Sequence, residues 1–88
     1  MFYVYILKST KDDNLYVGST NDLKRRFKEH NAGYVESTKP RRPLELKYYE
    51  AYSIEEEARD REKQLKLRGH ALGQLKRRIK LSIQQKEK

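Results

Sequence analysis

The chain has 88 residues, 35% of them hydrophobic and 39% charged, with no cysteine and a net charge of +8. That length holds one modest core and not two, the missing cysteine excludes disulfides and thiolate metal sites, and no apolar run approaches the roughly 20 residues that cross a bilayer. The charge is one-sided, with ten Lys/Arg against ten Asp/Glu in residues 1–58 and eleven against three in residues 59–88, so the C-terminal third suits a polyanion, most simply nucleic acid.

Phe2-Tyr-Val-Tyr-Ile-Leu7 is a dense aromatic and β-branched run, the composition of a strand buried on both faces. Lys11-Asp-Asp-Asn14 supplies turn residues before a second apolar run. Residues 2–8 and 14–19 are therefore expected to form an antiparallel hairpin, with Tyr5 and Tyr16 as cross-strand neighbours. Gly18 allows close backbone approach, and Ser19-Thr-Asn-Asp22 offers N-caps for a helix that begins at Leu23 and ends at Asn31-Ala-Gly33. Leu23, Arg26, Phe27 and His30 share one face of that helix. Unpaired polar groups are costly to bury, so a guanidinium and an imidazole among the apolar anchors point to a site. Tyr34 to Arg42 is a polar loop whose Lys39, Arg41 and Arg42 could touch phosphate. Over residues 43–52, Leu44, Leu46, Tyr48 and Glu50 alternate with Glu45, Lys47 and Tyr49, which predicts a third strand.

Ser53-Ile-Glu-Glu56 matches a capping box opening a helix over 54–68, with an inward face of Ile54, Ala58, Glu62 and Leu65. A glutamate in such a stripe more often pairs with a cation than does chemistry; its company on the neighbouring elements shifts the balance. Gly69-His70 breaks the pattern, and Leu72, Leu75, Ile79 and Ile83 form the stripe of a third helix whose other side bears Lys76, Arg77, Arg78 and Lys80. Residues 1–83 are expected to form one domain and 84–88 a frayed basic tail. The order β-β-α-β-α-α predicts an α+β fold, a small three-stranded mixed or antiparallel sheet flanked by about three helices.

Two histidines forty positions apart give no zinc pattern, and there is neither a glycine-rich phosphate loop nor a nucleophile elbow. What remains is tyrosines on paired strands, an Arg/His helix face and a lone carboxylate on the next helix. Those groups suit phosphodiester hydrolysis, which needs a base for water, positive charge at the phosphoryl oxygens, and a metal or acid at the leaving group.

Tyr3-Val-Tyr5, Tyr16-Val-Gly18, Asp22-Leu23-x-x-Arg26-x-x-x-His30 and Ala58-x-x-x-Glu62-Lys-Gln-Leu-Lys66 together resemble the GIY-YIG nuclease family, in particular its small bacterial single-domain members. The resemblance covers roughly residues 2–68 and departs from the name-giving pattern at Tyr3, which stands for the first glycine, and at two valines for isoleucine. It implies a small sheet flanked by helices and divalent-metal-dependent endonuclease cleavage of DNA. It further implies catalytic roles for Tyr5, Tyr16, Arg26 and His30, and metal binding by Glu62.

The mechanism so implied uses a single Mg²⁺ or Mn²⁺ held by Glu62, phosphate oxygens and waters. Tyr16 would be the general base. An ordinary phenol, with a pKa of about 10, is ionised about once in a thousand near pH 7, so this role requires positive charge nearby, from Arg26 and the metal. Arg26 would neutralise phosphoryl charge, Tyr5 would position water or phosphate, and His30 would relay a proton or orient Tyr16. Lys39, Arg41, Arg42, Lys76, Arg77, Arg78 and Lys80 are the expected nucleic-acid contacts. The alternative is a binding module that holds nucleic acid through these cations without cutting it. A membrane-surface helix over 71–83 is disfavoured by few apolar residues and no large aromatic. The partner expected is DNA, with no membrane and no obligate protein partner, in the cytoplasm.

Overall fold

The computed structural model describes residues 1–67 and 70–85. Strand β1 (Phe2–Ser9) pairs antiparallel with β2 (Leu15–Thr20) on one side and β3 (Leu44–Tyr52) on the other, giving a three-stranded sheet in the order β2-β1-β3. The central place of β1 explains its composition. Val4, Tyr5, Ile6 and Leu7 are all 2% exposed or less, because a strand covered on both faces has no solvent side to make polar.

Alternate residues of β1 serve two cores. Val4 and Ile6 pack with Val17 against Ala58 and Leu65 of α2 (Glu55–Lys66) and Leu75 of α3 (His70–Arg78). Tyr5 and Leu7 face the other way, with Leu44, Leu46, Tyr16, and Leu23 and Phe27 of α1 (Leu23–Ala32). The side chains of α1 and α2 therefore approach the sheet from opposite faces. Helix α1 has the ends expected of it: the Asp22 side chain accepts from the Arg25 backbone N–H, and Gly33 closes the helix at φ 87° in the left-handed region that glycine tolerates.

Four details differ from the sequence reading. Tyr16 stands opposite Leu7, and Tyr5 stands opposite Gly18, so the two tyrosines are diagonal neighbours, their ring centroids 6.4 Å apart. The register of β1 against β3 shifts between Ile6 and Leu7, leaving Lys47 between the paired positions of Leu46 and Tyr48. This bulge reverses the alternation: Leu44 and Leu46 join the α1 core, whereas Tyr48 and Tyr52 join the α2 core.

The capping box does not form. Ile54 is the N-cap of α2, it makes no side-chain cap, and it is 53% exposed. Glu55, Glu56 and Glu57 complement the helix dipole instead. The last apolar stripe is divided at Ile79, whose backbone leaves helical geometry (φ −109°, ψ 26°), into α3 and a short α4 (Lys80–Gln84). Leu72, Leu75 and Ile79 still pack on the α2 core. The expected helix break at Gly69 and most of the expected 84–88 tail lie outside the described residues. No helix among the described residues is long and apolar enough to cross a membrane.

Candidate active site

Gly18 makes room for the first member of the site. A Cβ built on it would lie 2.5 Å from Tyr5 Cζ, so the Tyr5 ring can lie against the β2 backbone only because position 18 lacks a side chain. Its hydroxyl then meets His30, one of the apolar-face positions of α1, with Oη 2.8 Å from Nε2. The opposite ring nitrogen, Nδ1, is 2.8 Å from Thr38 Oγ1. Tyr5, His30 and Thr38 are 2%, 0% and 0% exposed.

The Thr38 hydroxyl also lies 3.4 Å from the Val35 carbonyl, and one arrangement of protons satisfies every group in the chain of bonds: Thr38 donates to that carbonyl. It therefore accepts from Nδ1–H, leaving Nε2 as acceptor for the Tyr5 hydroxyl proton. Burial is the main reason His30 is held down to about pKa 4, and the charge of Arg26 adds to it against the opposing Glu29. Burial likewise pushes Tyr5 up to about 12, with Arg26 opposing the rise and Tyr16 and Glu62 adding to it. Near neutrality both groups are uncharged, and Tyr5 is a proton donor.

Tyr16 packs its ring edge-to-face on His30, centroids 5.1 Å apart, and is only half-buried. Arg26, one turn before His30, donates from Nη1 to Glu29 Oε1 at 3.1 Å and lines a cavity of about 290 Å³ with Ser19, Tyr3 and Arg59.

Glu62 approaches from the α2 side. Its Oε1 accepts from the Ser19 hydroxyl at 2.5 Å and its Oε2 from Lys66 Nζ at 2.6 Å. The Lys66 ammonium lies 5.9 Å from the centroid of the Tyr16 ring, so the two sets of residues meet across β2. Burial works to raise the Glu62 pKa, but the hydrogen bonds from Lys66 and Ser19 and the charges of Lys66 and Arg59 outweigh it and hold the carboxyl below its usual value. The nearby arginine of α2, Arg61, is bound instead to Glu50, which also accepts from Tyr48 and Tyr52. Glu62 is thus not the partner of a buried arginine.

Among the described residues no three His, Cys, Asp or Glu side chains cluster as a ready metal cage. The donor set nevertheless fits a hydrated hard cation. Mg²⁺ is commonly held by one or two carboxylates, with water and phosphate oxygens completing its shell. Glu62 is ionised and 21% exposed, and its competitor Lys66 is 50% exposed on a helix surface and able to swing away.

The remaining expected contacts lie elsewhere. Arg41 is tied to Asp12 at 3.0 Å and accepts at its carbonyl from Ser9, which joins the β1–β2 turn to the 3-10 turn Lys39–Arg41. Lys39 and Arg42 are exposed. Lys76 and Lys80 border a groove with Leu15 and Ile83, Arg77 is exposed, and Arg78 borders Glu50 and Arg61. None of these seven lines the Arg26 cavity. The sequence reading missed Thr38, Ser19 and Lys66. Only Lys66 carried a signal, the i,i+4 spacing from Glu62.

The GIY-YIG catalytic-domain profile matches residues 1–77. The chain belongs to the GIY-YIG family. Its relatives include UPF0213 proteins of Clostridium perfringens, 46% identical over 75% of this chain and 71% of that protein, and of Staphylococcus haemolyticus, 46% identical over 73% and 78%. The solution NMR structure of the UPF0213 protein from Bacillus halodurans is 38% identical, with a TM-score of 0.53 over 85% of this chain and 82% of that one. GIY-YIG is a nuclease family whose members generally use divalent metal ions and act on nucleic acid. The UPF0213 names specify no activity.

Proposed function

We propose that the chain is a divalent-metal-dependent endonuclease that hydrolyses phosphodiester bonds in DNA, with its site on β2 between Tyr16, Arg26 and Glu62. The observation that carries this reading is the convergence of Tyr5, Tyr16, Arg26 and His30 from one face of the sheet with Glu62 from the other.

Tyr16, as the phenolate, is the group that accepts the proton of the attacking water and becomes the neutral phenol; it is half-exposed and packs edge-to-face with His30. Tyr5 keeps its own proton, because burial holds its pKa at about 12. It therefore positions and does not abstract. His30, buried and with both nitrogens engaged, orients the two tyrosines and is not a proton relay to solvent. Arg26 neutralises charge developing on the phosphoryl oxygens. Glu62 is the residue that would hold Mg²⁺ or Mn²⁺, with Ser19 fixing its carboxylate. Such an ion, when bound, supplies Lewis-acid stabilisation of phosphoryl and leaving-group charge.

Incubating the purified protein with labelled DNA and RNA of duplex, branched and single-stranded form, with Mg²⁺, Mn²⁺ or chelator, tests the reading. Metal-dependent DNA cleavage is expected. Tyr16→Phe should cut at a rate lower by a factor on the order of a hundred or more with nucleic-acid affinity retained. Cleavage by Tyr16→Phe at the parent rate would remove Tyr16 from the role of base.

One observation favours a second reading, a module that binds nucleic acid without cutting it: both Glu62 oxygens are already engaged, one by a cation. Tight, salt-sensitive binding without cleavage under any metal would select that reading.

A further inference from the structure

Helix α1 leaves part of its sheet face uncovered. Between α1 and β3 runs a groove of about 500 Å³ lined by Tyr3, Tyr49, Leu46 and Phe27, with Asn21 and Lys24 at its rim. Tyr3 and Tyr49 form its wall as an edge-to-face pair, centroids 6.0 Å apart at 65°. Tyr49 is 53% exposed and stands directly across the β1–β3 ladder from Tyr5. The groove therefore adjoins the candidate active site, and it shares Tyr3 and Asn21 with the Arg26 cavity, whose rim also carries Arg25 and Arg59.

We infer that the Tyr3–Tyr49 pair is a stacking shelf for an unpaired nucleobase, that of a nucleotide next to the phosphate held at Arg26. The inference rests on the nucleic-acid reading above and adds a preference to it. An aromatic face offers sequence-tolerant stacking to any base. Lys24 supplies positive charge for a sugar-phosphate backbone along the path from cavity to groove, and Arg25 and Arg59 add to it by exchanging their exposed pairings with Glu29 at 3.8 Å and with Glu55, which also lines the cavity, at 3.4 Å. The one acidic residue in the groove, Asp22, is engaged by the α1 backbone it caps. A base inside a duplex is stacked on its neighbours and cannot reach the shelf, so the shelf selects single-stranded or locally unpaired substrate. Tyr3, the position that departs from the family's glycine, provides one half of it.

The test is fluorescence anisotropy in the presence of chelator, which blocks cleavage. It compares a labelled oligothymidylate, an abasic strand of the same length and a duplex. The parent protein should bind oligothymidylate roughly fivefold or more tighter than the abasic strand, the lower end of the effect of one stacked base. Tyr49→Ala should lose that preference while keeping its affinity for the abasic strand. Tyr49→Trp should restore it, which separates stacking from damage to the fold.

Equal affinity of the parent for abasic and thymidylate strands, or a preference untouched by Tyr49→Ala, would overturn the shelf and leave the nuclease reading standing. No binding to any of the three would overturn both. If Tyr49→Ala only converted a dimer to a monomer in sedimentation, the shelf would be overturned in favour of a surface for a second copy of the chain.

Discussion

His30 is buried without charge, and acid should expose that fact. A histidine whose pKa is lower folded than unfolded stabilises the fold fully above its unfolded value. That stability is lost as pH falls from the unfolded value toward the folded one, because the unfolded chain takes up the proton first. With 6.5 as the ordinary value and about 4 in the fold, the ratio of proton-binding terms at pH 4.5 is roughly 77, so RT ln of it gives a loss of about 2.5 kcal/mol between pH 7.5 and pH 4.5. Glu50 and Glu62 are held below their ordinary values, so the stability they contribute is lost mainly below this window, and comparison with a variant at position 30 isolates the histidine. Urea unfolding of the parent and of His30→Gln at half-unit steps measures the effect. The variant should be less stable at pH 7.5, since glutamine fits the Tyr5 and Thr38 partners imperfectly, but nearly flat down to pH 4.5. Parallel curves for the two proteins would refute the buried, neutral histidine and with it the bond direction from Tyr5 to His30.

Gly18→Ala should destabilise the protein by about 1–3 kcal/mol, the usual scale of overpacking, because its Cβ would fall 2.5 Å from Tyr5 Cζ. Thermal melts would check this, and a melting temperature equal to the parent's would show that Tyr5 does not press on β2. Replacing Lys76, Arg77 and Arg78 by glutamine should weaken binding alike across DNA sequences and reduce the slope of log affinity against log salt by about 1 for each phosphate no longer neutralised. An unchanged slope would assign these charges to solubility.

Local chemistry carried far in this sequence. The Phe2–Leu7 run marks a central strand, Asp22 and Gly33 mark the ends of α1, and the spacing of Leu23, Arg26, Phe27 and His30 marks its inward face, because each signal depends on residues within one or two turns. What could not be read depends on the partner strand or on a loop. The bulge at Lys47 is a mismatch between two strands, and only pairing with β1 reveals that Leu46 and Tyr48 face opposite cores. Thr38 lies in a loop eight positions beyond His30, where no period predicts that its hydroxyl will fix an imidazole. Ser19 offered itself as a cap for α1; in the fold the Val4–Ser19 pairing turns it to the α2 side, where it meets Glu62. The Ser53 box failed because its serine lies one position too early, with Ile54 at the cap and three glutamates supplying the helix start with charge.

Metal dependence should rest on Glu62. Glu62→Gln keeps the shape and an acceptor for Ser19 but removes the negative charge. Because the cation it pairs with, Lys66, is half-exposed, the loss of stability should be below about 1 kcal/mol. The most direct measurement is the single-turnover rate of DNA cleavage as a function of Mn²⁺ concentration, for the parent and for Glu62→Gln, at protein concentrations that saturate the DNA. Cleavage by the parent should rise with Mn²⁺, whereas the variant should melt and bind DNA like the parent but hardly cut at any Mn²⁺ concentration. A variant that cut at the parent rate with the same metal dependence would contradict the assignment of Glu62 as the residue that holds the metal.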